Sequence, residues 1–139
     1  MVKLADLTEI PMIWWDDYEM PLYFRRVTFH EEERCQICYT IRLSKTAEVA
    51  KKEGFDKFST TLLVSPYQKH EIIKEIGCSI AKRFELTFHY EDFRIGWPER
   101  DLLAREYDLY RQNYCGCLYS EWERLQKIRA RKDRLALNR

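Results

Sequence analysis

The chain has 139 residues, of which 45% are hydrophobic and 34% charged, and its formal net charge is +1. This balance is typical of a folded globular protein and excludes an intrinsically disordered chain, which has too few apolar residues to form a core. The length predicts a single domain covering residues 1–139. No segment approaches the run of about 18 apolar residues that a membrane helix needs, and the first residues lack the apolar core of a secretory signal. We therefore expect a soluble cytoplasmic protein with no membrane partner.

The first elements are a short strand and a long helix. Residues 10–15, IPMIWW, are apolar and aromatic and predict a buried strand that ends at Asp16-Asp17. Residues 31–54 predict a long helix. Three glutamates at its start favour the positive end of the helix dipole, and Gly54 is a typical C-terminal residue.

The middle of the chain predicts a strand, a helix and a second strand. Residues 57–65 are β-branched and apolar, and Ser65-Pro66-Tyr67-Gln68 predicts a helix start with an N-cap serine, a first-turn proline and a capping-box glutamine. The helix continues to residue 84, and residues 85–93 alternate as a strand does. Such a unit predicts a mostly parallel sheet with flanking helices. Ligands of such sheets bind beyond the carboxyl ends of the strands, where Ser65 and Asp92 fall.

The last third is predicted to be helical. A helix after Gly96-Trp97-Pro98 would carry Tyr107, Tyr110 and Tyr114, a stripe interpreted as helix packing, with base stacking as the alternative. A final helix is predicted from Ser120, with Glu123 completing a capping box. Residues 121–139 hold seven basic and three acidic side chains. This basic tail fits a solvated amphipathic helix and a polyanion contact equally well. The residues assigned to such a contact are Arg124, Lys127, Arg131 and Arg134.

Five cysteines suggest metal or redox chemistry, because disulfides are rare inside cells. Cys35 and Cys38 form a C-x-x-C pair at a helix start, where both sulfurs share one face. Cys115 and Cys117 flank a glycine, which permits a tight bend. Four thiolates meet the ligand count of a zinc ion or a cubane iron-sulfur cluster. The remaining cysteine, Cys78, is predicted to be a core residue.

Other polar residues are weaker candidates. The three histidines, His30, His70 and His89, have no ligand-like spacing and are interpreted as surface or core residues. Asp92 and Arg94 fit an internal ion pair and a substrate role equally well.

Several long strings resemble the successive signatures of one family, the iron-sulfur epoxyqueuosine reductases of the cobalamin-independent type. The resemblance covers roughly residues 10 to 125. The strings are RCQICYTIRLSKTA (34–47), FSTTLLVSPYQKHEIIKEIG (58–77), FHYEDFRIG (88–96) and LYRQNYCGCLYSEWER (109–124).

The resemblance implies a Rossmann-like α/β domain, a 4Fe-4S cluster, and two-electron reduction of an epoxide on a modified base at the tRNA wobble position. An additional iron is a further possibility under the resemblance, and zinc is the alternative metal. The implied partners are tRNA that contains epoxyqueuosine and an electron donor of unknown identity. The implied metal ligands are Cys35, Cys38, Cys115 and Cys117. The matching motifs also assign Asp92, Arg94 and Tyr67 to catalysis, and Ser65, Gln68, Tyr110, Arg111 and Gln112 to substrate binding.

The chain resembles the C-terminal two thirds of the family domain. Family members similar to it begin with a strand and a loop of paired cysteines, so the sheet is expected to lack its first strand and the free chain to self-associate. Two rival hypotheses are a zinc-thiolate structural module and an RNA-binding accessory protein without catalysis.

Overall fold

The computed structural model describes residues 2–15 and 19–137, and these form two compact units. Residues 9–15 and 19–100 form the larger unit, and residues 2–8 with 101–137 form the smaller one. The single domain expected from the length stays a prediction. The strand pair and the helices confirm the α/β class.

The larger unit contains the predicted strand–helix–strand arrangement. Strand β1 (Lys57–Phe58) and strand β2 (Thr87–Phe88) are parallel, with Phe58 opposite Phe88, and helix α4 (His70–Phe84) connects them. The Thr87 N–H donates to the Asp56 carbonyl at 2.9 Å, and the His89 N–H donates to the Phe58 carbonyl at 2.9 Å.

Helix α3 (Arg34–Lys52) confirms the helix predicted for residues 31–54, and its first turn is a 3₁₀ helix at Glu31–Glu33. The side chains that it buries recur at helical spacing, so one face of α3 packs against α4 and β1. The core residues are Tyr39, Leu43, Ala47, Ala50, Phe58, Leu63, Ile73, Ile80, Ala81 and Phe88.

Helix α4 packs closely against β2 because Gly77 has no side chain. A Cβ at Gly77 would lie 2.5 Å from the Phe88 ring. Cys78, predicted to be a core residue, is exposed instead. It is turned away from the α4 face that buries Ile73, Gly77 and Ile80.

The two strands of this unit are shorter than predicted, and a 3₁₀ helix capped by a side chain follows each of them. After β1, the Thr60 hydroxyl accepts the Leu62 N–H and starts a 3₁₀ helix at Thr61–Val64. After β2, Asp92 accepts the Arg94 N–H and starts a 3₁₀ helix at Phe93–Glu99. The predicted helix start at Ser65 is also wrong. The Ser65 hydroxyl accepts a hydrogen bond from the Tyr67 N–H in a turn, and α4 begins only at His70.

The segment 10–15 is not a buried strand. It has no regular structure, and Ile10, Ile13, Trp14 and Trp15 are each about half exposed. Its predicted end, Asp16-Asp17, lies outside the described residues. Trp15 instead lies under the Lys45 ammonium, 4.3 Å from the ring centroid. Helix α2 (Met20–Val27), which the sequence did not predict, follows and buries Val27 completely.

The smaller unit contains helix α1 (Val2–Thr8), most of helix α5 (Arg100–Glu106) and helix α6 (Leu118–Leu137). Helix α5 ends before Tyr107, and Asp108 has a φ of 48°, so the expected tyrosine stripe is not helical. The last helix begins two residues before Ser120, whose hydroxyl accepts the Cys115 N–H instead. The basic tail is helical as predicted as far as residue 137, and residues 138–139 lie outside the described residues.

A lipid bilayer could not be crossed by any helix within residues 2–15 and 19–137, since none is both long and apolar enough.

Candidate functional site

Two loops at the carboxyl ends of β1 and β2 carry most of the polar residues singled out in the larger unit. Ser65, Tyr67 and Gln68 follow β1, and Asp92 and Arg94 follow β2. The 3₁₀ helices of the two loops pack against each other, so these residues lie at one end of the strand pair. Parallel α/β proteins bind their ligands at this edge.

The loop after β1 is held by a tyrosine from α3. The Tyr39 side chain is 2% exposed, and its hydroxyl donates to Gln68 Oε1 at 2.8 Å and accepts the Lys69 N–H at 3.2 Å. Gln68 is therefore fixed by residues about 30 positions earlier in the chain. Tyr67, two positions after Ser65, is 81% exposed.

Asp92 and Arg94 form the internal ion pair that was one of the two sequence interpretations. Asp92 Oδ1 accepts both the Arg94 backbone N–H at 3.1 Å and Nε–H at 2.7 Å, while Oδ2 accepts from Nη2 at 2.5 Å. The side-chain hydrogen bonds from Arg94, with that of its backbone, lower the pKa of Asp92 to about 2. Asp92 also raises the pKa of Arg94. The carboxylate therefore stays ionised near neutral pH and cannot supply a proton there.

His70, which the sequence predicted to be a surface or core residue, is buried, and it also lies at this site, which the sequence did not predict. It is 7% exposed, and its Nε2 lies 3.2 Å from the Ser65 carbonyl oxygen. Its ring meets Tyr90 edge to face, with 6.3 Å between the two centroids. His70 thus packs between the two loops. The sequence signal that could have indicated this location is that His70 directly follows the SPYQK string; in the structure it is the first residue of α4.

Trp97 is a second missed residue. It lies in the 3₁₀ helix after Asp92, and its indole is 5.6 Å from the Tyr67 ring at an interplanar angle of 78°. The Arg100 guanidinium lies on the Trp97 ring, 3.2 Å from its centroid.

In the smaller unit, Cys115 and Cys117 form a thiol pair. Gly116 between them has a φ of 96°, which confirms that a glycine is needed for this bend. The two sulfurs are 3.7 Å apart. Ser120 binds both residues, because its N–H donates to Cys117 Sγ at 3.3 Å and its hydroxyl accepts the Cys115 N–H at 3.1 Å. Two thiolates that each lie about 2.3 Å from one tetrahedral metal would be about 3.8 Å apart, so the pair fits a single metal ion.

Cys35 and Cys38 lie in the first turns of α3, three residues apart and partly buried. Cys35 packs against the core of the larger unit. Within the described parts of the chain, no three side chains of His, Cys, Asp or Glu converge as a metal site. The four-cysteine ligand set therefore stays a prediction.

The other predicted binding residues come shortly before the thiol pair in the chain. Arg111 Nη1 forms an ion pair with Asp101 Oδ2 at 2.8 Å, and the Tyr110 side chain is 87% exposed. The Gln112 side chain donates to the Tyr114 carbonyl at 2.8 Å and lies against Gly116, where it supports the C-x-C bend.

Helix α6 carries the basic residues at spacings of three and four, which places them on one face. These residues are Arg124, Lys127, Arg131 and Arg134. The last three lie on the same side of α6 as Ala130 and Leu135.

The parallel strand pair, the helices and the closely spaced thiols place this chain in the class of α/β proteins with paired cysteines. Within that class the family is clear, since the family model "Epoxyqueuosine reductase QueH" matches residues 1–123. The chain belongs to this family.

Curated relatives named epoxyqueuosine reductase QueH agree with this assignment. The protein from Dehalococcoides mccartyi is 38% identical over 127 residues, which are 91% of this chain and 70% of the relative. The Thermotoga maritima protein is 41% identical over 97 residues, 68% of this chain and 50% of the relative. The Streptococcus pyogenes protein is 34% identical over 125 residues, 84% of this chain. The chain spans about half the length of the Thermotoga and Streptococcus proteins.

Proposed function

We propose that this chain takes part in the reduction of epoxyqueuosine to queuosine at the wobble position of tRNA, in the cytoplasm. The observation that carries the proposal is the family match over residues 1–123, which includes both cysteine pairs and both loops at the carboxyl ends of the strands. In the reaction the epoxide oxygen leaves as water and a carbon–carbon double bond forms. This balance requires two electrons from an external donor and two protons.

The proposed cofactor is a 4Fe-4S cluster, held by Cys35, Cys38, Cys115 and Cys117 or by some of them. When bound, it would supply electrons one at a time to the epoxide. The distance of 3.7 Å between the Cys115 and Cys117 sulfur atoms suits one metal ion. This distance supports an additional iron at the C-x-C pair. It equally supports the second candidate function, a zinc-thiolate structural module.

The loop residues are proposed to position the base and its epoxide. Because Asp92 stays ionised, its role is to hold the Arg94 guanidinium at the edge of the strand pair rather than to donate a proton. The exposed phenol of Tyr67 is the proposed hydrogen-bond donor to the epoxide oxygen. The parallel strand pair is proposed to be part of a Rossmann-like sheet.

The basic face of α6 is proposed to bind tRNA phosphates. Its cations follow one another at helical spacing over a length of about 15 Å, which covers several phosphates of an RNA backbone. This contact would be independent of sequence, whereas the loops at the strand ends would read the modified base.

Anaerobic purification with analysis of iron, acid-labile sulfide and zinc tests the cofactor. Turnover of tRNA that carries epoxyqueuosine, followed by mass analysis of the nucleosides, tests the reaction. Iron with sulfide, together with loss of one oxygen atom from the nucleoside, is the expected result. If the protein contains only zinc and shows no turnover, the zinc-thiolate structural module is correct and the reductase function is wrong.

A further inference from the structure

Tyr67 is held in place and yet exposed to solvent. Its ring is 81% exposed, although aromatic side chains gain stability mainly by burying their surface. Its backbone is fixed by Pro66 before it and by the hydrogen bond of its N–H to the Ser65 hydroxyl. Gln68, the next residue, is bound by the buried Tyr39. A rigid ring that faces solvent is prepared for a contact outside the chain.

Trp97 and Arg100 support the Tyr67 ring. The indole of Trp97 meets Tyr67 edge to face, and the Arg100 guanidinium covers the indole at 3.2 Å. Together Tyr67, Trp97 and Arg100 form a surface that we call the aromatic platform. Stacking between the arginine and the indole fixes the Trp97 ring and places a positive charge beside it.

The chemistry of the aromatic platform suits an unpaired RNA base. Single-stranded bases are recognised by stacking on aromatic rings and on guanidinium groups, and nearby cations attract the phosphates between them. Arg100 belongs to the platform and supplies such a cation. The platform also lies at the carboxyl ends of the parallel strands, the edge at which α/β proteins bind nucleotides.

We propose that the aromatic platform stacks an unpaired base of the anticodon loop and thereby presents the neighbouring modified nucleotide to the reaction site. This inference rests on the proposed function, because it takes tRNA as the substrate. It adds Trp97 and Arg100 as binding residues and gives the ring of Tyr67 a role separate from that of its hydroxyl.

The test measures binding of an anticodon stem-loop RNA without the modified base, so that no turnover is involved. Tyr67→Ala is expected to weaken binding about tenfold or more, because stacking on one base is lost. Tyr67→Leu, which keeps apolar bulk but no planar ring, is expected to weaken it comparably. Tyr67→Phe keeps the ring and should bind within about twofold of the wild type. Phe55→Ala is the matched control, since Phe55 is 57% exposed and lies before β1, at the amino end of the strand.

A set of RNAs with one base removed from the loop identifies the stacked base. Removal of that base should weaken binding of the wild type by the same factor as Tyr67→Ala, and it should cost Tyr67→Ala almost nothing further. A fully paired RNA duplex should bind wild type and variants equally. Thermal unfolding shows whether each variant is folded.

Stem-loop binding by Tyr67→Ala and Tyr67→Leu equal to that of the wild type would overturn the platform, as would an equal loss with Phe55→Ala. These results are distinct from failure of the proposed function. If stem-loop binding depends on Tyr67 but the chain does not reduce epoxyqueuosine, the aromatic platform is supported and the proposed reaction is wrong. If the chain reduces epoxyqueuosine but the Tyr67 variants bind the stem-loop as the wild type does, the proposed reaction is supported and the aromatic platform is wrong.

Discussion

The sulfur atoms of Cys115 and Cys117 lie 3.7 Å apart across Gly116, just before the first turn of α6. Neither sulfur has to move far for both to bind one metal ion, because two thiolates on a tetrahedral metal are separated by about the same distance. The thiol pair is therefore preorganised by the backbone.

Cys115→Ser should lower the metal content of the purified protein severalfold, because a hydroxyl is a poor ligand for soft metals. Cys78→Ser is the control, since Cys78 is an exposed cysteine on α4 that lies outside the two pairs. Elemental analysis of anaerobically purified protein provides the measurement. Equal metal content in the wild type and both variants would show that Cys115 is not a ligand.

Asp92→Asn should lower the stability of the protein at neutral pH, and the stability of the variant should change less with pH in the acid range. The pKa of Asp92 is lowered from 3.8 to about 2 by Arg94, so its stabilising effect is present above about pH 4 and is lost as the pH falls towards 2. The difference in melting temperature between wild type and Asp92→Asn should shrink over that interval. Glu75→Gln, which changes an exposed glutamate on α4, serves as the control. A difference that stays constant down to pH 2 would contradict the assignment.

Gly77→Ala should destabilise the larger unit, because the added Cβ would lie 2.5 Å from the buried ring of Phe88. We expect the free energy of unfolding to fall by about 1 to 3 kcal/mol, less the gain in helix propensity. Gly96→Ala is the matched control, since nothing lies within 4 Å of a Cβ there. Urea unfolding compares the two variants, and equal stabilities would show that α4 and β2 are not in close contact.

The double substitution Lys127→Ala with Arg131→Ala should weaken tRNA binding and reduce its dependence on salt. Each lost phosphate contact lowers the slope of log K against log salt by about 0.7 to 0.9. The pair Arg129→Ala with Lys132→Ala removes the same two residue types from the opposite side of α6 and should leave the slope unchanged. If both pairs reduce the slope equally, tRNA is attracted by net charge and not by one face of the helix.

Helices α3 and α4 and their connection through a parallel strand pair were predictable, because they depend on local patterns. Helical spacing of apolar side chains within one segment determines which face of a helix is buried. The bend at Gly116 was predictable because glycine has no side chain and permits a positive φ. The strings in the two strand-end loops and around the thiols likewise indicated the family that the comparisons confirmed. These features need no knowledge of distant residues.

The tertiary structure decided the length of the strands and the exposure of single residues. Beyond the short strands, Thr60 and Asp92 accept backbone N–H groups and cap 3₁₀ helices, and the pattern of apolar residues does not reveal such hydrogen bonds. His70 is buried, Tyr67 is exposed and Trp97 lies beside Tyr67 because of contacts made between separate loops. The Tyr39 hydroxyl reaches Gln68 across 29 positions of sequence. A local pattern cannot encode such contacts, since they exist only once α3, α4 and the two loops have packed together.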